Sequence, residues 1–168
     1  PWHSNYTVNI NTEMNYWPVL MCGMPELHLP LLEMIRDIAE AGRKTARVHY
    51  DAGGWVAHHN IDLWRNTVPV GTCAMPMSAE WSFWYMSGAW LCRHLYEHYE
   101  YTLDRTFALE TALPIMKESA VFCLAMLTED RDGFLIAAPA TSPENVFSFE
   151  GERCAVSQTS VMVMSIMK

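Results

Sequence analysis

Pro25-Glu26-Leu27-His28-Leu29-Pro30-Leu31-Leu32-Glu33-Met34-Ile35-Arg36-Asp37-Ile38-Ala39-Glu40-Ala41-Gly42 is the stretch whose reading decides the fold class. Its apolar residues Leu27, Leu31, Met34, Ile35 and Ile38 recur three and four positions apart, with Glu33, Arg36, Asp37 and Glu40 between them. That period belongs to an amphipathic helix with one buried face, and Gly42 is expected to close it. Arg43 to Tyr50 is expected to add a short second helix before Gly53-Gly54 breaks the chain.

Further along, helical signals return. Ser78 and Glu80 read as a helix start, and Trp81 to about Tyr101 as an almost continuously apolar helix buried between layers. Asp104 can cap the next helix, which is expected to reach about Leu127 with a kink at Pro114. Asp132-Gly133 reads as a turn and Phe134–Ala138 as a short extended segment. Val161 opens a last apolar helix with no evident cap. Val56–Met77 and residues 139–160 lose periodicity, the former gathering Pro69, Gly71 and Pro76, and read as ordered loops of the kind that carry function. Helix follows helix without an alternating strand run, so the expected class is all-α, a single unit over residues 1–168.

Composition narrows the function. Eleven Lys and Arg against nineteen Asp and Glu give a net charge of −8, and no basic stripe offers itself to phosphates, so nucleic acid is not an expected partner. No apolar run reaches the ~18 residues of a membrane span. Pro1-Trp2-His3 has neither an initiator Met nor the features of a signal peptide, so the chain is expected to begin inside a longer protein. Cys22, Cys73, Cys92, Cys123 and Cys154 are widely spaced in mostly apolar surroundings and are expected to be buried free thiols. Aromatic residues make up 12%, including seven Trp and seven Tyr, and lie beside many His, Asn, Asp and Glu, a mixture suited to sugars.

Three clusters carry candidate chemistry. In the first, Asn9 and Asn11 are two residues apart, so an extended backbone would turn both side chains the same way. Their carbonyl oxygens could hold a nucleophilic water if a carboxylate backs them, although turns and caps are the more frequent use of asparagine. The second, Gly53 to Trp64, brings Trp55, His58, His59, Asp62 and Trp64 into one loop. Adjacent histidines usually point apart, so no metal site is expected; the alternatives are hydrogen bonds to sugar hydroxyls or structural bonds within the loop. In the third, Pro139 to Phe147, Glu144 stands among small, apolar and proline-fixed residues that would raise its pKa as a general acid requires, against the plainer reading of a cap or solvated loop residue. Trp55, Trp64, Trp81 and Trp90 are all candidates for stacking on a sugar, and core packing is the commoner fate of the aromatic helix.

In order and wording these stretches resemble glycoside hydrolase family 95, the α-L-fucosidases. The resemblance is carried by His3-Ser4-Asn5-Tyr6 with Asn9-Ile10-Asn11, Asn15-Tyr16-Trp17-Pro18, Gly54-Trp55-Val56-Ala57-His58-His59-Asn60 with Asp62-Leu63-Trp64, Gly88-Ala89-Trp90-Leu91, and Ser142-Pro143-Glu144-Asn145. It implies part of an (α/α)6 toroid whose cleft binds terminal α-L-fucose, 1,2-linked in type, and hydrolyses it with inversion and without a cofactor. Glu144 matches the general acid, and Asn9 and Asn11 the pair that positions the attacking water. The aspartate that polarises this pair in the family is expected beyond Lys168. With five or six helices against the twelve of a closed ring, the chain is expected to be an incomplete catalytic domain, inactive alone and needing the rest of its parent. A fucosylated glycan is the implied substrate, and the family habit implies a secreted or extracytoplasmic parent. Two alternatives stand beside this reading: another toroid glycosidase such as an α-L-galactosidase, and a non-catalytic glycan-binding or scaffold domain.

Overall fold

A two-residue strand β1 (Tyr6–Thr7) turns directly into helix α1 (Asn11–Met21) in the computed structural model, which describes residues 5–71 and 77–168. His3, Ser4 and Cys73 lie outside the described residues. Glu13, Tyr16 and Leu20 form the inward stripe of α1, spaced three and four apart, while Met14, Trp17 and Met21 are exposed. A single 3-10 turn, Pro25–His28, then leads into α2 (Leu29–Tyr50).

The α2 helix buries Leu31, Leu32, Met34, Ile35, Ile38, Ala39, Gly42, Thr45 and Ala46 on one face, as its period requires. It does not end at Gly42, and no second helix starts at Arg43. A Cβ at Gly42 would lie 2.6 Å from the Val56 carbonyl oxygen, so this glycine lets the next segment cross the helix closely rather than terminating it. Termination falls to Asp51, left-handed at φ 48°.

After β2 (Asn60–Ile61), the expected helix from Trp81 to Tyr101 is in fact two. One turn, α3 (Ala79–Ser82), is separated from α4 (Ser87–Thr102) by a break in which Trp84, Tyr85 and Met86 are all buried. Three consecutive residues cannot all face one side of a helix, so inserting them into the core opens the backbone. Asp104 caps α5 (Arg105–Phe107) as its sequence position suggests, its Oδ1 accepting from the Phe107 N–H at 3.0 Å. A wide turn over Ala108–Ala112 precedes α6 (Leu113–Ala125), because Pro114 has no N–H to return to the preceding turn and its ring crowds the carbonyl there.

Asp132-Gly133 and Phe134–Ala138 supply a turn and a strand as expected, whereas residues 139–160 are not the plain loop expected. Strands β3 (Leu127–Glu129) and β4 (Leu135–Ala137) form a hairpin closed by Gly133, with the Asp130 side chain accepting from Asp132 and Phe134 N–H groups. Strand β5 (Ala140–Thr141) pairs with β8 (Val156–Ser157), enclosing the β6 (Phe147–Phe149) and β7 (Glu152–Cys154) hairpin. These ladders are two or three residues long, too short to leave an alternating pattern in sequence, and the fold is mostly rather than wholly α. Helix α7 (Val161–Met167) follows, and it does have a cap: Ser160 Oγ accepts from the Val163 N–H at 3.1 Å.

Helices α2, α4 and α6 enclose the main core, built from residues such as Ile35, Ile38, Leu91, Leu95 and Ile115. Trp84, Tyr85, Met86, Phe122 and Val163 make a second core beneath α7. Cys92 and Cys123 are buried free thiols, pushed up to about 12 and about 11 by burial; Cys22, just past the end of α1, is exposed instead. No helix among the described residues is long and apolar enough to cross a membrane.

Candidate active site

Two of the three clusters are sewn together by the β1–β2 ladder. Tyr6 pairs with Ile61 and Thr7 with Asn60, and the Val8 N–H donates to the His59 carbonyl at 2.9 Å. Asn60 knits their side chains: its Nδ2 donates to Asn5 Oδ1 at 2.8 Å and Thr7 Oγ1 at 3.2 Å, while its Oδ1 lies 2.8 Å from His59 Nδ1. With Oδ1 as acceptor, His59 carries its proton on Nδ1. Its Nε2 is left as a buried acceptor with no partner among the described residues.

The third cluster reaches the same histidine. Burial lowers the His59 pKa, while its Asn60 hydrogen bond and the charge of Glu144 act in the opposite direction, which places Glu144 within electrostatic range of the imidazole. Trp81 packs edge-on to His59 with ring centroids 5.4 Å apart. The loop bearing Glu144 is pinned by Thr141 Oγ1 on the Phe83 carbonyl, 3.2 Å, by Tyr85 OH on the Pro139 carbonyl, 3.0 Å, and by an Arg153–Glu80 ion pair of 2.7 Å beside Trp81. Glu144 itself is exposed, not withheld from water as its neighbours in sequence suggest.

Asn9 and Asn11 part company. The extended backbone stops at Thr7, and the chain turns at Ile10, so Asn9 is buried with an unpartnered Oδ1 whereas Asn11 opens α1 on the exposed side. His58 and His59 do point apart. His58 is fully buried, its Nδ1 on the Thr67 carbonyl at 2.7 Å and its Nε2 on Tyr50 OH at 2.5 Å, and burial lowers its pKa to about 4. Both ring nitrogens being taken, its role is structural.

Trp55 is a core residue and no sugar platform: it is 1% exposed, its Nε1 donates to the Ile115 carbonyl at 2.9 Å, and Gly42 and Gly88 lie against it. Asp62 folds its own loop, Oδ1 accepting from the Trp64 and Asn66 N–H groups at 2.9 Å each. Trp64 stands 84% exposed. Trp90 lines an open apolar groove of about 740 Å³ between α4, α6 and α7, apart from these polar residues.

Glu13 was missed by sequence reasoning. It is fully buried with both carboxyl oxygens unpartnered, and burial raises it to about 7 against the pull of its own backbone N–H. The signal was present: a carboxylate on the apolar stripe Glu13-Tyr16-Leu20. Asn60 was quoted but given no role, although it joins the first two clusters.

The whole chain, residues 1–168, matches the Glycosyl hydrolase family 95 catalytic domain. The chain belongs to glycosyl hydrolase family 95. Among family 95 relatives, it is 41% identical to "Alpha-L-fucosidase 2" of Arabidopsis thaliana over 169 residues, which covers 100% of this chain and 20% of that protein. It is 34% identical to "Probable alpha-fucosidase A" of Aspergillus niger over 86% of this chain and 18% of that protein. The chain thus spans about a fifth of the length of the curated relatives it matches.

Proposed function

We propose that the complete protein carrying this family 95 domain removes terminal α-L-fucose from fucosylated glycans with inversion at the anomeric carbon, the missing helices closing an (α/α)6 ring over the site. Glu144 is the general acid that protonates the departing oxygen, and Asn9 holds the attacking water; the family resemblance pairs Asn11 with it, although the two side chains diverge in this chain. The observation that carries this reading is the joining of the Asn9 and His59 clusters by the β1–β2 ladder, where the unpartnered His59 Nε2 suits a sugar hydroxyl donor and the charge of Glu144 is felt. Inversion further requires acid and water on opposite faces of the ring, roughly 6.5–9.5 Å between the acid and its water-side carboxyl counterpart.

Hydrolysis of 2′-fucosyllactose followed by NMR tests this. β-L-fucose is expected as the first product, and Glu144→Gln is expected to lower turnover by roughly 10²–10⁴-fold while leaving sugar binding in place. α-L-Fucose as first product would exclude inversion. Undiminished turnover in the variant would remove Glu144 from the acid role.

A further inference from the structure

We propose that Glu13 is a positioning residue for the attacking water, its carboxylate holding the Asn9 amide N–H so that the Asn9 carbonyl oxygen faces the sugar. The inference rests on the water-holding role given to Asn9 above.

Glu13 lies in the first turn of α1, fully buried, with neither carboxyl oxygen hydrogen-bonded among the described residues. Asn9 is 4% exposed and its Oδ1 is likewise buried without a partner. The Met14 N–H donates to the Ile10 carbonyl at 2.8 Å, closing the first turn of α1; Glu13 lies within that turn and Asn9 in the tight turn that leads into it, on the other side of Ile10. Two sets of acceptors without donors therefore flank the same turn. Leaving one buried acceptor unpaired costs about 1–3 kcal/mol, and simple core packing gives no reason for two.

Turning the Asn9 amide through half a rotation removes the conflict. Its two N–H donors then face inward, where Glu13 can accept, and its oxygen faces outward as the acceptor a nucleophilic water requires. The surrounding backbone fixes the turn: Thr12 Oγ1 donates to the Thr7 carbonyl at 2.9 Å, and Val8 is held on His59 by the ladder. Burial raises Glu13 to about 7, so the carboxylate that this pairing needs forms only as the pH rises, and the pairing itself draws that ionisation to lower pH.

The test uses the complete protein with two substrates, 2′-fucosyllactose and α-L-fucosyl fluoride. Fluoride departs without a proton from Glu144, yet water must attack in both reactions. Glu13→Gln is expected to lower kcat at least tenfold on both substrates with KM changed less than twofold, and to erase the acid limb of the kcat profile; Glu13→Asp recovers part of the rate. Glu144→Gln, in contrast, slows only the fucosyllactose reaction. Unchanged kcat and an unchanged pH profile in folded Glu13→Gln overturn the proposal. A second readout does not depend on turnover: the Asn9 side-chain amide NMR signal shifts with pH in the wild type and not in Glu13→Gln. A signal indifferent to pH overturns the pairing, whereas a titrating signal in a protein that releases no fucose upholds the pairing and rejects the fucosidase reading instead.

Discussion

His58 and His59 are neighbours with opposite employment, and substitution separates them. Replacing His58 by Ala removes both partners of a fully buried ring, so about 2–4 kcal/mol of stability is expected to disappear in a denaturant titration while the KM of the remaining folded enzyme stays within twofold. His59→Ala takes away the unpartnered Nε2, and KM is expected to rise about tenfold, as the loss of one hydrogen bond of roughly 1–1.5 kcal/mol implies. A KM unmoved by the His59 substitution would remove it from the sugar site. The adjacency rule foretold that these rings diverge, but nothing in the sequence says which one meets Thr67 and which meets Asn60. The same limit applies to Trp55 and Asp62, whose types suit a sugar and whose positions serve the core and a turn. Burial is a property of the assembled chain and leaves no local mark.

Helix periods were legible wherever a helix buries a single face. The α2 stripe, the Asp104 cap and the Asp132-Gly133 turn follow from local chemistry. Gly42 misled because its freedom from a side chain serves contact with Val56, a partner beyond the helix. Gly42→Ala is accordingly expected to destabilise by about 1–3 kcal/mol in thermal unfolding, although alanine is the better helix former by about 1 kcal/mol in isolation. A stabilised variant would show that Val56 can move aside. The break before α4 and the ladders around Glu144 were invisible because tertiary burial and two-residue pairings, not propensity, create them.

Among the described residues, five buried histidines and the raised carboxyl of Glu13 set the response to acid. His28 joins His94 and His98 through ring nitrogens 3.2 Å apart on either side, and burial lowers all three, neighbouring charges adding to it at His28 and His94 and Asp104 opposing it at His98; His58 and His59 are lowered too. A lowered histidine contributes stability that is present above its unfolded value of 6.5 and lost as pH falls, through about 4 for His28, His58 and His94. Glu13, raised from 4.5 to about 7, works in the other direction: its contribution is present below 4.5 and lost as pH rises through about 7. Between pH 6.5 and 4.5 the histidines outnumber it, so the thermal midpoint is expected to fall on acidification, and to fall more steeply in Glu13→Gln. An equal slope in that variant would show that Glu13 titrates normally.

Trp55 also sets an order of events in time. Its Cβ lies against α2 at Gly42, and its indole meets α4 at Gly88 and α6 at Ile115, so these three helices share one residue as their contact point. A ribosome adding about 5–20 residues per second needs roughly 4–15 s to pass from the first of these positions to the last. Throughout that interval the apolar face of α2 has emerged without the surface it will be buried against, and a chaperone that binds apolar helices has its widest opportunity there.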